Sequence, residues 1–226
     1  MKIGLIIADT EEYKPVEVFS AAMLGTPLTI YGYNGHRIEL PDGHTLCTML
    51  CGIGKVNAAT AAAHLISGGA EVIINCGLSG GLSGIKPGEY TVGTRYVEHD
   101  FDLTPLGLNL GQKPNQKYIY PADGRLLSLA SEVCPAAKQG VMVCGDCFVS
   151  DSKKAAWLIE EFDAMSCDME SAAIASVCHR AAVPFVAVRQ ISDSGDESAV
   201  QDYNTANSED QTTLFDMVLQ MIYELA

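Results

Sequence analysis

Basic residues are scarce in this chain: 14 Lys and Arg stand against 28 Asp and Glu, which gives a formal net charge of −14. Proteins that bind nucleic-acid backbones or anionic membranes do so with clustered Lys and Arg. Here the basic residues are scattered along the sequence. We therefore expect no nucleic acid and no membrane as a partner. A small neutral or cationic ligand suits this charge better than a polyphosphate does.

Long apolar runs and targeting signals are also missing. No apolar stretch of the sequence reaches the roughly 20 residues that a membrane-spanning helix needs. The first apolar run ends at Ala8 and is followed by the acids of residues 9–12. This run is too short, and turns acidic too soon, to be a secretory signal. We expect a cytoplasmic protein.

The 8 cysteines follow no clear metal or disulfide pattern. Cys47, Cys76 and Cys178 lie in apolar runs, as reduced cysteines do when they act as small buried hydrophobic residues. Cys144 and Cys147 have the Cys-x-x-Cys spacing, but no second pair and no His at zinc spacing accompany them. We expect no metal and no cofactor.

Short apolar segments alternate with segments of helical periodicity along the chain. The strands predicted in this way are residues 2–8, 46–51, 71–76, 90–98, 140–149 and 184–191, and the helices are residues 56–66, 152–162, 169–182 and 211–225. Such alternation is typical of an α/β domain with a largely parallel sheet. Asn34-Gly35 predicts a tight hairpin between residues 28–33 and 36–40. We therefore expect a single α/β domain over residues 1–226, with a central mixed β-sheet flanked by helices.

Glycines and acidic residues follow four of the predicted strands. They are residues 9–12, 77–81 and 145–148, together with Ser192-Asp193. In open α/β sheets, ligands bind at the carboxyl ends of the strands. We expect these four strand ends to form one binding site.

Six segments extend this pattern along the whole chain. They are Met-Lys-Ile-Gly at 1–4 with Glu11-Glu12, Gly-Ile-Gly-Lys-Val at 52–56, Val-Ile-Ile-Asn at 72–75 with its glycine-rich turn, Gly-Asp-Cys-Phe at 145–148, Asp-Met-Glu-Ser-Ala-Ala-Ile-Ala at 168–175, and Arg-Gln-Ile-Ser-Asp at 189–193. In this order they resemble the 5′-methylthioadenosine/S-adenosylhomocysteine nucleosidases of the nucleoside phosphorylase superfamily. The resemblance implies a nucleoside phosphorylase-like fold. It also implies hydrolysis of the N-glycosidic bond of adenine nucleosides such as 5′-methylthioadenosine and S-adenosylhomocysteine, releasing adenine and the thioribose.

The resemblance implies three catalytic residues. Glu12 would orient and deprotonate the attacking water, and Asp193 would donate a proton to purine N7 as the base leaves. Hydrolysis at an oxocarbenium-like sugar carbon needs these two functions on opposite faces. Burial of Asp193 just past an apolar strand would raise its pKa and keep it protonated. Arg189 would hold a carboxylate or a water on the same rim.

The resemblance also implies residues that bind the substrate. Glu170, with Met169, would accept hydrogen bonds from the ribose hydroxyls. Phe148 would stack on the purine, and the backbone of Val149 would contact the purine edge. The remaining expected contacts are Ser192, Ile53, Leu78, Ser79, Leu103 and Tyr203.

The glycine-rich turn at 77–81 departs from the family pattern. The family usually has Ser directly after the first glycine, where it helps to place the water. Here that position is Leu78, and Ser79 follows one residue later. Either Ser79 substitutes through a shifted turn, or the water is held differently. The glycines could form a nest of amides for an oxygen, or they could only permit positive φ in a tight turn.

The pocket for the 5′ substituent is a second departure. In the family it is usually lined by an apolar residue near Asp9 and by aromatic residues near Leu106 and Leu108, whereas these positions are acidic and aliphatic here. Tyr203 could supply one ring. The preferred 5′ substituent therefore stays open. The resemblance further implies a homodimer in which the neighbour's segment around Leu103 closes this pocket.

Each candidate residue also has an ordinary structural interpretation. Glu12 could be a solvated acid in the first turn of a helix. Asp193 could be a helix N-cap, and Asp168 and Glu170 could merely cap the helix that begins after them. Phe148 could belong to the core, and Arg189 could form a surface ion pair.

Three other functions compete with the nucleosidase. A purine nucleoside phosphorylase shares the fold, but its phosphate site needs cations or a dense nest of amides. The first loop carries Asp9, Glu11 and Glu12 and no Arg, so hydrolysis is favoured. A futalosine-type or broader adenine-nucleoside hydrolase is the second alternative. The third is a catalytically silent nucleoside-binding protein. Binding alone requires no water-activating base, so the presence of Glu12 together with Glu170 and Asp193 argues against this alternative.

Overall fold

The computed structural model describes residues 1–41 and 43–225 as an α/β fold. Within these residues the strands are β1 (Lys2–Ile7), β2 (Thr26–Ile30), β3 (Tyr33–Glu39), β4 (Thr45–Leu50), β5 (Val72–Gly81), β6 (Tyr90–Glu98), β7 (Ile119–Pro121), β8 (Lys138–Cys144), β9 (Ala164–Asp168) and β10 (Phe185–Asp193). The helices are α1 (Thr10–Ala22), α2 (Lys55–Ser67), α3 (Gly124–Val133), α4 (Ser152–Phe162), α5 (Ser171–Ala181), α6 (Ala199–Ser208) and α7 (Thr212–Glu224), and a short 3-10 helix spans Thr104–Leu106.

These strands form one 10-stranded sheet in the order β10-β6-β8-β9-β5-β1-β4-β3-β2, with β7 paired to β6. Pairing is parallel in the centre, as between β1 and β4, β1 and β5, and β5 and β10. It is also parallel between β6 and β8 and between β8 and β9. It is antiparallel between β6 and β10, between β5 and β9, and in the edge strands β2, β3 and β4. Because β10 pairs with both β5 and β6, the strands β5, β10, β6, β8 and β9 close on themselves. The predicted α/β fold with a mixed sheet flanked by helices is confirmed.

Two large apolar clusters cover opposite faces of the sheet. Ile3, Leu5 and Ile7 of β1 belong to a cluster with α1, α3 and α7, whereas Ile6 belongs to a cluster with α2 and α5. Successive side chains of a strand point to opposite faces, so β1 is buried on both sides. This explains its nearly continuous apolar sequence. In the part of the chain that the structure describes, no helix is long and apolar enough to cross a membrane.

The predicted hairpin forms, but the prediction of its turn is wrong. In the pairing of β2 with β3, Ile30 lies opposite Tyr33, so Tyr31-Gly32 is the two-residue turn. Tyr31 and Gly32 have φ of 49° and 83°, as a type I′ turn requires. Asn34-Gly35 lies inside β3, where a Cβ on Gly35 would come within 2.0 Å of the Thr48 carbonyl oxygen. Gly35 therefore serves the close approach of β3 to β4.

Three other predicted boundaries change. Residues 77–81, predicted to be a turn, continue β5 to Gly81. The strand predicted over 140–149 ends at Cys144, and the helix predicted to begin at Met169 begins at Ser171. As a result, residues 145–149 and 169–170 are irregular segments at the end of the sheet that carries the candidate site.

Candidate active site

A cavity of about 300 Å³ opens at the carboxyl ends of β1, β5 and β10. A volume of this order suits a small organic ligand. The structure brings together most of the predicted site residues in its lining: Glu12, Ile53, Leu78, Ser79, Phe148, Val149, Met169, Glu170, Ser192, Asp193 and Tyr203. Three further lining residues, Asp9, Gly80 and Cys147, belong to the strand ends that were expected to form one site. The sequence did not predict the other three: Ala8, Cys167 and Asp168. Arg189 and Leu103 do not line the cavity of their own chain.

Arg189 lies beneath the lining, in a buried polar network. Its side chain is 1% exposed, so the surface ion pair considered from sequence is wrong. Nη2 donates to Asn75 Oδ1 at 2.6 Å, to Asp168 Oδ2 at 3.1 Å and to Glu170 Oε2 at 3.4 Å. Burial alone would lower the pKa of Arg189, but the two carboxylates hold it above its ordinary value. A buried cation requires such partners.

Glu12 projects into the protein from the first turn of α1. It is buried, so it is not a solvated acid of a helix start. Oε1 accepts the Leu78 backbone N–H at 2.7 Å, and Oε2 has no hydrogen-bond partner among the described residues. Burial raises the pKa of Glu12 to about 7, against the opposing effects of the Leu78 N–H and of Arg189. The group can therefore exchange a proton near neutral pH.

Gly77 provides the space in which Glu12 and Arg189 converge. A Cβ at this position would lie 2.6 Å from Glu12 Oε2 and 2.7 Å from Arg189 Nη1. The glycine thus allows β5 to pass close to both charged groups. Because residues 77–81 continue the strand, they form neither the amide nest nor the tight turn considered from the sequence. Leu78 contributes its backbone N–H, whereas the Ser79 hydroxyl donates to the Cys167 carbonyl at 2.9 Å. The hydroxyl hydrogen of Ser79 is therefore used within the protein, and no shifted turn presents it to a ligand.

Asp168 caps a helix, whereas Glu170 does not. Asp168 Oδ1 accepts the backbone N–H of Glu170 at 3.1 Å and of Ser171 at 2.9 Å, so Asp168 stabilises the start of α5. The side chain of Glu170 makes no capping bond, which makes the capping interpretation of Glu170 wrong. Its Oε1 accepts the Gly54 N–H at 3.0 Å instead. Burial raises the pKa of Glu170, and Arg189 opposes this effect.

Asp193 ends β10 and is buried. Its Oδ2 lies 2.6 Å from Ser192 Oγ, and its Oδ1 accepts the Gly195 N–H at 2.9 Å. Burial raises its pKa, whereas these two hydrogen bonds lower it. The helix-cap interpretation of Asp193 is wrong, because α6 begins later in the chain and has Ser198 at its N-cap.

An aromatic pair lines the cavity together with the buried acids. Phe148 is 43% exposed, so it is not a core residue. Its ring lies 5.5 Å from that of Tyr203 on α6, with an interplanar angle of 73°. Val149, next in the chain, is buried, and Ile53 is 49% exposed. The cavity therefore combines aromatic and aliphatic side chains with buried acids that can form hydrogen bonds, a mixture typical of sites for small organic ligands.

Comparisons with known proteins identify the family and the fold. The family model of the phosphorylase superfamily matches residues 2–222. A relative from Exiguobacterium sp., named 5′-methylthioadenosine/S-adenosylhomocysteine nucleosidase, is 38% identical over 208 residues, with 88% of each chain covered. The crystal structure of the Helicobacter pylori nucleosidase of that name, with butyl-thio-DADMe-Immucillin-A, is 28% identical, with a TM-score of 0.94 over 99% of this chain and 98% of that one.

A second solved structure of similar likeness is the futalosine hydrolase of Helicobacter pylori. It is 27% identical, with a TM-score of 0.94 over 99% of this chain and 98% of that one. The fold and the site define a member of the phosphorylase superfamily. Within it, this chain belongs to the 5′-methylthioadenosine/S-adenosylhomocysteine nucleosidase family, as the sequence predicts.

Proposed function

We propose that this protein is an N-glycosyl hydrolase that cleaves adenine nucleosides such as 5′-methylthioadenosine and S-adenosylhomocysteine into adenine and the thioribose. The relatives and solved structures of that name support the activity. The observation that carries the proposal is Glu12, a buried carboxyl whose pKa is raised to about 7 and whose Oε2 has no partner among the described residues. A carboxyl with these properties suits a general base at neutral pH.

Glu12 and Asp193 each carry out one of the two proton transfers. Glu12 takes a proton from the attacking water, whose oxygen forms a bond to C1′ of the sugar. The bond from C1′ to N9 of the base breaks, and the pair of electrons moves to adenine. Asp193, whose pKa burial raises, donates a proton to N7, so that adenine leaves as a neutral molecule.

Glu170 and Arg189 act on the sugar. With Oε1 on the Gly54 N–H and Oε2 near Arg189, the Glu170 carboxylate is fixed in position and can accept from the 2′- and 3′-hydroxyls. Its negative charge favours the positive charge that develops on the sugar. Arg189 is a positioning residue for this carboxylate. Phe148 stacks on the purine, and the Val149 backbone contacts the purine edge.

Charge in the cavity supports water, and not phosphate, as the nucleophile. Within the described residues, the lining contains no Lys, Arg or His, but it contains Asp9, Glu12, Asp168, Glu170 and Asp193. Arg189, behind the lining, is already paired with two of these acids. A phosphate site needs available cations or a dense nest of amides. The described lining offers no such cation, and the Leu78 N–H of the glycine-rich segment is already bonded to Glu12, which argues against the phosphorylase alternative.

Release of adenine from 5′-methylthioadenosine is expected to proceed at the same rate with and without phosphate. An adenine-detecting assay in phosphate-free buffer, repeated with added phosphate, measures this directly. Turnover that stops without phosphate, with a sugar 1-phosphate as the product, would identify a phosphorylase. No adenine under either condition would exclude both the nucleosidase and the phosphorylase activity on 5′-methylthioadenosine.

A futalosine-type hydrolase is the second candidate, because the futalosine hydrolase of Helicobacter pylori has the same TM-score as the nucleosidase from that organism. Both would use the same acids at the sugar and the base. They differ in the 5′ substituent, so the same assay with 6-amino-6-deoxyfutalosine, which carries adenine, as substrate separates them by kcat/KM.

We further propose that the protein works as a cytoplasmic homodimer. The described cysteines are free thiols, and most are buried, which suits a reducing compartment. Ile53 at the cavity, Val56 on α2 and Leu106 in the 3-10 helix are exposed by 49%, 77% and 74%. Exposed apolar side chains of this kind are typical of contact surfaces. The segment around Leu103, which does not line its own cavity, is available to the neighbour.

A further inference from the structure

The proposed mechanism leaves one carboxylate of the cavity, Asp9, without a chemical task. Asp9 caps α1 by accepting the Glu11 N–H on Oδ1 at 2.8 Å. The same oxygen lies 3.4 Å from Nδ2 of Asn207 on α6. Because both bonds end on Oδ1, capping does not use Oδ2. Asp9 is half-buried and lines the cavity, so this oxygen can meet a ligand.

Asp9 lies beside the place where the proposed function puts the sugar. It precedes Glu12 by three residues, and residues at that spacing share one side of a helix turn. The charge of Asp9 contributes to raising the pKa of Glu12, so the two groups are close. Glu12 is buried, whereas Asp9 is half-buried and thus nearer to solvent. The proposed function assigns the base to Asp193 and Phe148 and the 2′- and 3′-hydroxyls to Glu170. The group of the nucleoside left to meet Asp9 is then the 5′ substituent of the sugar.

Asp9 Oδ2 is a hydrogen-bond acceptor at the cavity wall, whereas Asn207 does not line the cavity. The Asn207 amide directs its Nδ2 to the other carboxylate oxygen, Asp9 Oδ1. An apolar 5′ substituent would bury Asp9 Oδ2 without a partner, which is unfavourable. A substituent with N–H or O–H groups would satisfy this oxygen, and a cation would also meet the negative charge of the lining.

We propose that Asp9 is a specificity-determining residue that selects adenine nucleosides whose 5′ substituent carries hydrogen-bond donors, with an ammonium group preferred. The inference rests on the proposed function for the orientation of the nucleoside. It assigns Asp9 a second task in addition to capping α1, and Asn207 holds the carboxylate in place.

Three nucleosides with the same base test the inference: 5′-amino-5′-deoxyadenosine, adenosine and 5′-methylthioadenosine. The variant is Asp9→Asn, because Asn caps a helix about as well as Asp but lacks the charge. The ratio of kcat/KM for the amino nucleoside to that for the methylthio nucleoside is expected to fall by about 10- to 100-fold, the range of a charge-assisted hydrogen bond. The hydroxyl of adenosine is expected to give a smaller change in the same direction.

Asp123→Asn is the matched control. Asp123 caps α3 through the N–H groups of Arg125 and Leu126 and does not line the cavity, so this variant is expected to leave the ratio unchanged. An unchanged ratio in Asp9→Asn would overturn the inference and leave Asp9 as a cap.

Binding measurements separate this inference from the proposed function. Calorimetric Kd values for the three nucleosides, measured in the Glu12→Gln background with and without Asp9→Asn, report selectivity without turnover. A wild-type protein that releases adenine from none of the nucleosides contradicts the proposed function. A Kd ratio that is the same with and without Asp9→Asn contradicts the inference, whether or not turnover occurs.

Discussion

Replacing Glu12 by Gln is expected to lower the rate of adenine release by about 10²–10⁴, the range of general-base catalysis. Gln has nearly the shape of Glu, and its side-chain oxygen can still accept the Leu78 N–H, but it cannot take a proton from water. The Kd for 5′-methylthioadenosine should therefore change little while kcat falls. Single-turnover kinetics and calorimetry on the same preparation measure the two quantities. A variant with near-normal kcat would remove Glu12 from the mechanism.

The pH profile is the control for this variant. Because burial raises the pKa of Glu12 to about 7, wild-type kcat/KM should fall below that pH as the carboxylate becomes protonated. The residual activity of Glu12→Gln should lack this acidic limb. A limb that persists in the variant would assign the titration to another group.

Loss of folding is not expected to explain the loss of activity in Glu12→Gln. The pKa of this carboxyl is higher in the folded protein than its ordinary value of 4.5. Ionisation therefore opposes folding as the pH rises from 4.5 towards 7, and the free energy of unfolding decreases over that interval. Gln carries no such charge. The variant should be at least as stable as the wild type at pH 8, as a thermal melt will show.

Asp193→Asn is expected to reduce adenine release by about 10²–10⁴, the range of general-acid catalysis, and to have a much smaller effect on a nitrophenyl riboside. Adenine leaves only after its N7 is protonated, whereas the nitrophenolate leaves without a proton. Asn can still accept the Gly195 N–H, so the turn after β10 should be kept. Parallel rate measurements on the two substrates provide the test.

Asp196→Asn is the matched control for this comparison. Asp196 is a neighbouring acid that bonds Ser198 and does not line the cavity, and both rates should stay near those of the wild type. An equal loss on both substrates in Asp193→Asn would instead give Asp193 a role in structure or general binding.

The sequence predicted which residues lie together, because the candidate residues follow the ends of strands. The carboxyl ends of β1, β5 and β10 meet at one end of the sheet, so the short motifs after them share one cavity. Strand periodicity does not reveal how deeply a side chain is buried. Glu12 in a first helical turn and Arg189 near a strand end are both compatible with solvent exposure, and only packing against β5 removes both from water.

The network behind the site could not be predicted, because its members are far apart in the chain. Arg189 donates a hydrogen bond to Asn75, which is 114 positions away in the chain. Nothing in the sequence around Asn75 indicates this contact. Asp168 fits a local helix-capping pattern, so the sequence gives no reason to expect its second contact, with Arg189. Helix α6, which carries Tyr203 and Asn207, buries only Ala199. Its sequence therefore has no apolar stripe from which the helix could be predicted. Its position over the cavity is set by tertiary contacts.

The most direct test of the central claim is the origin of the oxygen on C1′ of the product. Turnover of 5′-methylthioadenosine in H₂¹⁸O with phosphate present, stopped by borohydride reduction, gives a sugar alcohol for mass spectrometry. Water activated by Glu12 predicts that the product carries one ¹⁸O atom and no phosphate. A sugar 1-phosphate without ¹⁸O at C1′ would contradict the account.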